Sequence, residues 1–359
     1  MSRSCRSSWT TKPRGDQRWA RNPRQAFSWG PTTGGGSPTC GWNLTSTTLT
    51  WLSRWPHDWS TICTRSSLYC RRVDQTLNPS SPFAHASFEG KYAVITGGSQ
   101  GLGYATAELM KARGARTLLL IGRDSDKGNR AAARLTGEGC QAHFHSADLA
   151  TVAGTESVVD ATETLLGRVD VFVNCAAATW RGSVWNTTPA MWTEMLAMNV
   201  QMPGVLVTAF ARIMKREGIH GSMVLISSIA HHGGNSVLWP YATSKHALEA
   251  LAKNAAFSLM AEGIRVNMLN PGWMDTPAEH EVQKQFHDAP EDWLSRAEAQ
   301  QPFGRLLQPQ EVARGICFLA SAESGMMTGA SIDFDQTIPG TGDLPRGETV
   351  PEHFPWQDR

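Results

Sequence analysis

From Phe88 onward the apolar residues follow two alternating rhythms. Tyr92 to Thr96, Thr117 to Gly122, Gln141 to His145, Val169 to Cys175, Ser222 to Ser227, Ile264 to Leu269 and Ser331 to Phe334 are short runs of strand length, most of them apolar throughout. Between them apolar positions return at helical spacing. The clearest case is Trp239 to Glu262, where Tyr241, Ala242, Leu248, Leu251, Ala252, Ala255 and Leu259 fall on one side. Apolar strands separated by helices predict a parallel sheet with both faces covered, so the expected class is α/β.

The first 86 residues have a different texture. They carry ten Arg and one Lys against three Asp, a net of +8, which leaves the remainder at −7 because the whole chain is +1. They also hold seven of the 14 Trp and four of the seven Cys, with little apolar periodicity. Such a segment cannot bury a continuous face and is expected to be an extension without a core, disordered or spurious. A transit peptide is the rival reading, although Pro13, Pro23, Pro31 and Gly34 to Gly36 interrupt any long amphipathic helix. A metal or disulfide module is weaker, since Cys5, Cys40, Cys63 and Cys70 show no close pairing. No stretch reaches the roughly 18 consecutive apolar residues of a membrane span.

Three motifs carry chemistry. Tyr241 and Lys245 stand four apart in a helical stretch, so a phenol and an ammonium share a face and the charge can favour the phenolate. Ser228 closes the strand-like run Met223 to Ser228, thirteen residues before Tyr241. Gly97-Gly98-Ser99-Gln100-Gly101-Leu102-Gly103 joins a strand to a helix, where glycines let backbone amides and the positive end of the helix meet a phosphate.

Together these residues resemble the compact branch of the short-chain dehydrogenase/reductase family, with its TGxxxGxG turn, its Ser and YxxxK, and its PG turn after the next strand. The resemblance covers about Phe88 to Asp335. It implies a Rossmann-like doubly wound parallel sheet of seven strands, a single domain over 87–338, and a tail over 339–359. It also implies hydride transfer between a nicotinamide and a carbonyl or secondary alcohol. Tyr241 would handle the hydroxyl proton and Ser228 would hold the substrate oxygen. Lys245 would lower the tyrosine pKa and bind the nicotinamide ribose, and Asn199 with a water would relay protons.

The same resemblance assigns the cofactor contacts. Gly97, Ser99, Gln100, Gly101, Leu102 and Gly103 would cradle the pyrophosphate, Asp148 and Leu149 would meet the adenine, and Asn174 with the backbone after it would line the adenosine. Pro271, Gly272 and Thr276 would hold the carboxamide side. Cys175-Ala176-Ala177 departs from the family's NNAG, and Asp333-Phe334-Asp335-Gln336 from its VDGG. Arg123 stands where NADP-preferring members place an arginine, and the acid that would hold NAD is replaced by Gly122, so NADP is expected, with NAD as the alternative. Two features pull the other way: Gln100 is not basic, and Asp124 could reach the ribose.

Trp180, Arg181, His231, His232, Trp239 and Trp273 surround the expected substrate position and suit a sugar, a polyol or a cyclic hydroxy compound. Pro277 to Gln300 match the family's lid. A non-catalytic NADP sensor on the same fold is the alternative function. A small carbonyl or alcohol substrate, no nucleic acid, no membrane, no metal, a cytoplasmic setting and a homodimer or homotetramer complete the expectation.

Overall fold

The computed structural model describes residues 87–339, so the expected extension over 1–86 and nearly all of the tail lie outside the described residues. Seven parallel strands form one sheet in the order β3-β2-β1-β4-β5-β6-β7. They are β1 (Tyr92–Thr96), β2 (Thr117–Gly122), β3 (Gln141–Ser146), β4 (Val171–Asn174), β5 (Ser222–Ile226), β6 (Arg265–Pro271) and β7 (Ser331–Phe334). The order reverses beside β1, which pairs with both β2 and β4. A crevice opens at the carboxyl ends of strands at such a switch point, and ligands bind there.

Strand residues alternate between two cores. Ala93, Ile95, Leu118, Leu120, Val171, Val173, Val224 and Ile226 join Met110, Val312, Ile316 and Leu319 on one face. Val94, Leu119, Ile121, Phe172, Met223 and Leu225 join Val158, Leu206, Phe210, Leu248 and Ala252 on the other. The first face is covered by α1 (Gly101–Ala112), α2 (Ser125–Leu135) and α9 (Pro309–Ala320), the second by α3 (Val152–Leu165), α5 (Met202–Arg216) and α6 (Trp239–Leu259). This is why the central strands read as nearly unbroken apolar runs, both of their faces being buried, whereas the edge strands β3 and β7 are partly exposed and mixed in composition. Each fully buried Leu, Ile or Phe contributes about 1.5–3 kcal/mol.

Helix α4 (Pro189–Leu196) runs through a π-turn, Ala197–Gln201, into α5. The combined stretch Pro189–Arg216 is apolar and long enough to cross a bilayer, but Met202, Leu206, Phe210, Ile213 and Met214 spend that apolarity on the sheet. The lid region forms α7 (Pro277–His287) and α8 (Trp293–Glu298).

Candidate active site

One cleft of about 1610 Å³ runs along the carboxyl ends of the strands. At its nucleotide end the turn from β1 into α1 needs its glycines: Gly97 and Gly101 have φ of +67° and +55°, and a Cβ on Gly103 would collide with the Gly97 carbonyl. Gly97, Ser99, Gln100, Gly101, Leu102 and Gly103 all line the cleft, ahead of a three-turn helix whose first amides are free for an anion.

Arg123 and Lys127 line the same end. Arg123 is exposed, and no ion pair to its guanidinium forms among the described residues. Asp124 lines the cleft too, with one carboxylate oxygen accepting from Lys127 N at 2.9 Å to cap α2. Lys127 is the cation that sequence reasoning missed. Its Nζ donates to Gln100 Oε1 at 2.8 Å, which brings a positive charge to the turn that Gln100 itself lacks.

Two residues expected on the adenosine side stand just outside the lining of the cleft. Asn174 is 1% exposed and does not line the cleft; its Oδ1 accepts from Thr96 Oγ1 at 2.9 Å, locking β4 to β1. The chain after it, Cys175 to Ala177, forms the wall instead. Asp148 is exposed and outside the cleft lining, its carboxylate turned to Ala150 N at 3.1 Å, while Ala147 and Leu149 line the cleft. Thr151, not Asp148, caps α3.

At the other end Ser228 follows β5, and Tyr241 and Lys245 project from α6. The Ser228 hydroxyl lies beside the Tyr241 phenol and favours its ionised form. Lys245 is 2% exposed, its Nζ donates to Ile226 O at 2.8 Å, and it lies 5.6 Å from the Tyr241 ring centroid. Burial depresses its pKa to about 8. The phenol is pushed up from its ordinary value, chiefly by burial; the Ser228 hydroxyl and the Arg181 charge oppose the rise, and Glu279 adds to it. Lys245 is not among the groups that shift it, so in this structure burial outweighs the lowering expected from the helical spacing. Cys175, where the family pattern has Asn, is held neutral by burial, with its thiol at about 12.

Asn199 sits in the π-turn, and its carboxamide is fully occupied. Oδ1 accepts from Ala178 N at 2.8 Å, and Nδ2 donates to Ala178 O at 3.0 Å and to Ser244 Oγ at 2.9 Å. The side chain therefore ties α5's lead-in to the cleft wall and to α6, and any water it served would have to be held by main chain.

Pro271, Gly272 and Thr276 line the cleft beside α1. Thr276 Oγ1 caps α7 by accepting from Glu279 N at 3.1 Å, which leaves its own hydrogen to donate. The expected aromatic wall is mostly absent. Trp239 packs on Trp192 and Trp180 on Phe286, and only Trp273 of the three lines the cleft. Arg181, Glu279, Gln283 and His287 take that place.

A family model described as enoyl-(acyl carrier protein) reductase matches residues 97–336. An NADP-dependent (R)-specific alcohol dehydrogenase of Lentilactobacillus kefiri is 32% identical over 69% of this chain and 96% of its own length. The chain belongs to the short-chain dehydrogenase/reductase family. Membership makes it an oxidoreductase of the alcohol–carbonyl class. A cis-4-hydroxycyclohexanecarboxylate dehydrogenase of Sinomonas cyclohexanicum is 30% identical over 69% of the chain and 96% of its own length. The solved L-sorbose reductase of Gluconobacter frateurii, complexed with NADPH and L-sorbose, is 27% identical and superposes with a TM-score of 0.67 over 72% of this chain and 99% of its own.

Proposed function

We propose that this short-chain dehydrogenase/reductase uses NADP to interconvert a ketone and a secondary alcohol on a neutral, polyhydroxylated substrate. The observation that carries the reaction is the convergence of the Ser228 hydroxyl, the Tyr241 phenol and the Lys245 ammonium at one end of a cleft whose other end is a glycine turn. The nucleotide end suits the cofactor: the side-chain-free turn admits a pyrophosphate, and Arg123 with Lys127 supplies two cations for the extra phosphate of NADP.

Bound NADP supplies the hydride acceptor for oxidation and, reduced, the donor for the reverse. Ser228 donates a hydrogen bond to the substrate oxygen and polarises it. Tyr241 gives its proton to that oxygen in reduction and takes one in oxidation. Lys245 stays with its charge beside the phenol and offers its remaining N–H groups to the ribose. Asn199, through its main chain in the π-turn because its carboxamide is already occupied, holds the water that passes the proton on. Thr276 donates to the carboxamide.

The substrate class rests on the wall that replaced the expected tryptophans. Arg181 and Glu279 are each 17% exposed and face one another at 3.6 Å. Glu279 Oε1 also accepts from Trp273 Nε1 at 2.9 Å and from Gln283 Nε2 at 2.7 Å, and Arg181 Nε donates to His287 at 3.2 Å. Arg181 is thus already neutralised, so a carboxylate substrate would gain little from it and would meet Glu279. A substrate rich in hydroxyls can both donate and accept along such a wall. L-sorbose, bound in the solved reductase of Gluconobacter frateurii, is a substrate of this kind.

A homodimer or homotetramer belongs to the same reading, since Val205, Phe257 and Met260 expose apolar surface on and just after α5 and α6. The three free thiols Cys140, Cys175 and Cys317 support a reducing, cytoplasmic setting. The test is nicotinamide absorbance with NADPH against a panel of ketoses, alicyclic ketones and keto acids. Turnover of ketoses above the other two is expected, and keto acids turned over best would overturn the substrate class.

A further inference from the structure

The turn that carries Ser228 leads into a short 3-10 segment, Ile229–His232, and then into Gly233 and Gly234, both at φ +85°. Two of its side chains are histidines, and the structure brings Asp333 of β7 to them. One ligand atom from each of His231, His232 and Asp333 lies within 4.8 Å of the other two.

The hydrogen bonds around the cluster fix which ring nitrogens are free. His231 is 6% exposed, and its Nδ1 lies 2.7 Å from Ser228 O, a carbonyl that can only accept, so Nδ1 carries the hydrogen. The neutral ring then presents a bare lone pair at Nε2. That atom sits 3.3 Å from Glu249 Oε2, and Glu249 also pairs with Lys253 at 2.8 Å. His232 Nε2 donates to Asp333 Oδ2 at 2.8 Å, so a metal ion bound between them would take the place of that hydrogen, and the other carboxylate oxygen accepts from Asn270 Nδ2 at 2.8 Å. The two imidazole rings are only 3.9 Å apart between centroids. One divalent cation can be ligated by a nitrogen of each ring.

We propose that His231, His232 and Asp333 form a binding site for a borderline transition-metal ion of the Zn(II), Ni(II) or Co(II) class, and that its occupancy fastens the Ser228 turn to β7. Two imidazoles and one carboxylate with open positions are a set these ions accept. The supporting contacts have the form expected behind ligands: a backbone carbonyl on the far nitrogen of one histidine and an amide on the carboxylate. Ligands in a tetrahedral shell with bonds of about 2.1 Å lie roughly 3.4 Å apart, so the cluster must tighten by about 1 Å on binding. The two left-handed glycines after His232 let the turn do so. His232 lines the catalytic cleft, which makes the site accessible from it. The proposal does not depend on the hydride-transfer reading.

The test uses the full chain without a polyhistidine tag, stripped by chelator and titrated with NiCl2 in a calorimeter, beside His232→Ala and Asp333→Asn. Cysteines elsewhere in the chain can take metal, so the readout is the difference between wild type and variants. The wild type should bind one equivalent more than His232→Ala, and Asp333→Asn should weaken that equivalent at least tenfold. Cu(II) loaded at that equivalent should show an electron paramagnetic resonance pattern of nitrogen and oxygen ligands without sulfur. Hydrogen exchange of residues 228–234 should slow on Ni(II) addition in wild type and not in His232→Ala. Equal stoichiometry and affinity in all three proteins would overturn the site, and binding without protection of the turn would overturn its role.

Discussion

Lys127 Nζ donates to Gln100 Oε1 at 2.8 Å, so the first turn of α2 reaches across to the glycine turn at the place where Arg123 stands. Two cations therefore face the adenosine end of the cleft, and their removal should be felt by NADP and not by NAD. Arg123→Ala should weaken NADP roughly ten- to a hundred-fold, as expected for a charge-assisted contact of about 1.5–3 kcal/mol. Lys127→Ala should add a smaller loss. Titration of both cofactors at fixed ionic strength decides it, and equal affinity of wild type for NAD and NADP would sink the assignment.

Gly122→Asp is expected to turn the preference toward NAD by placing a carboxylate where the extra phosphate would lie. A Cβ there comes within 3.3 Å of Ser99 Oγ and 3.4 Å of the Phe144 ring, both side chains that can give slightly. The variant should therefore fold with little loss of melting temperature. Reversed cofactor ratios with an unchanged melting curve are the result to look for.

Tyr241→Phe keeps the packing of α6 and removes the phenol beside Ser228. Turnover should fall by at least a hundred-fold, within the range of general acid–base catalysis, with cofactor affinity nearly unchanged. Retained turnover would move the proton chemistry to another group.

Lys245 is held at about 8 against an ordinary 10.5. Between those values the unfolded chain binds more protons than the folded one, so this group makes stability rise with pH across that window. Below pH 8 the buried ammonium costs stability, on the order of 3 kcal/mol at most. Lys245→Met should be inactive yet more resistant to urea than wild type at pH 7, with the gap narrowing as pH climbs from 8 toward 10.5. A gap independent of pH would show that the ammonium is not the source.

Gly103→Ala would place a methyl group against the Gly97 carbonyl, a backbone atom that cannot swing aside. A loss of roughly 1–3 kcal/mol is expected from the forced shift, together with a large loss of cofactor affinity. Urea melts and cofactor titrations of the same preparation separate the two effects.

The sequence by itself determined what depends on neighbours along the chain. Buried central strands announce themselves as apolar runs, and all seven strands lie within two residues of their expected bounds at either end, the largest shifts being β4, trimmed to Val171–Asn174, and β6, extended to Pro271. Tyr241 and Lys245 share a face because of helical spacing alone, and the glycine turn follows from the left-handed angles at Gly97 and Gly101. Helix ends were less legible: α1 begins at Gly101, inside the glycine turn itself, although glycines weaken a helix. What only the tertiary structure decided are the pairings across the sheet. Gln100 meets Lys127, Arg181 meets Glu279, and His232 meets Asp333, which is 101 residues away. Asn174 and Asn199, expected in the cleft and its proton relay, were drawn into structural bonds with Thr96, Ala178 and Ser244. Spacing fixes where a side chain starts, but a polar group in a buried layer goes to whichever partner strand order and helix packing bring within reach, and that choice is not written in any one segment.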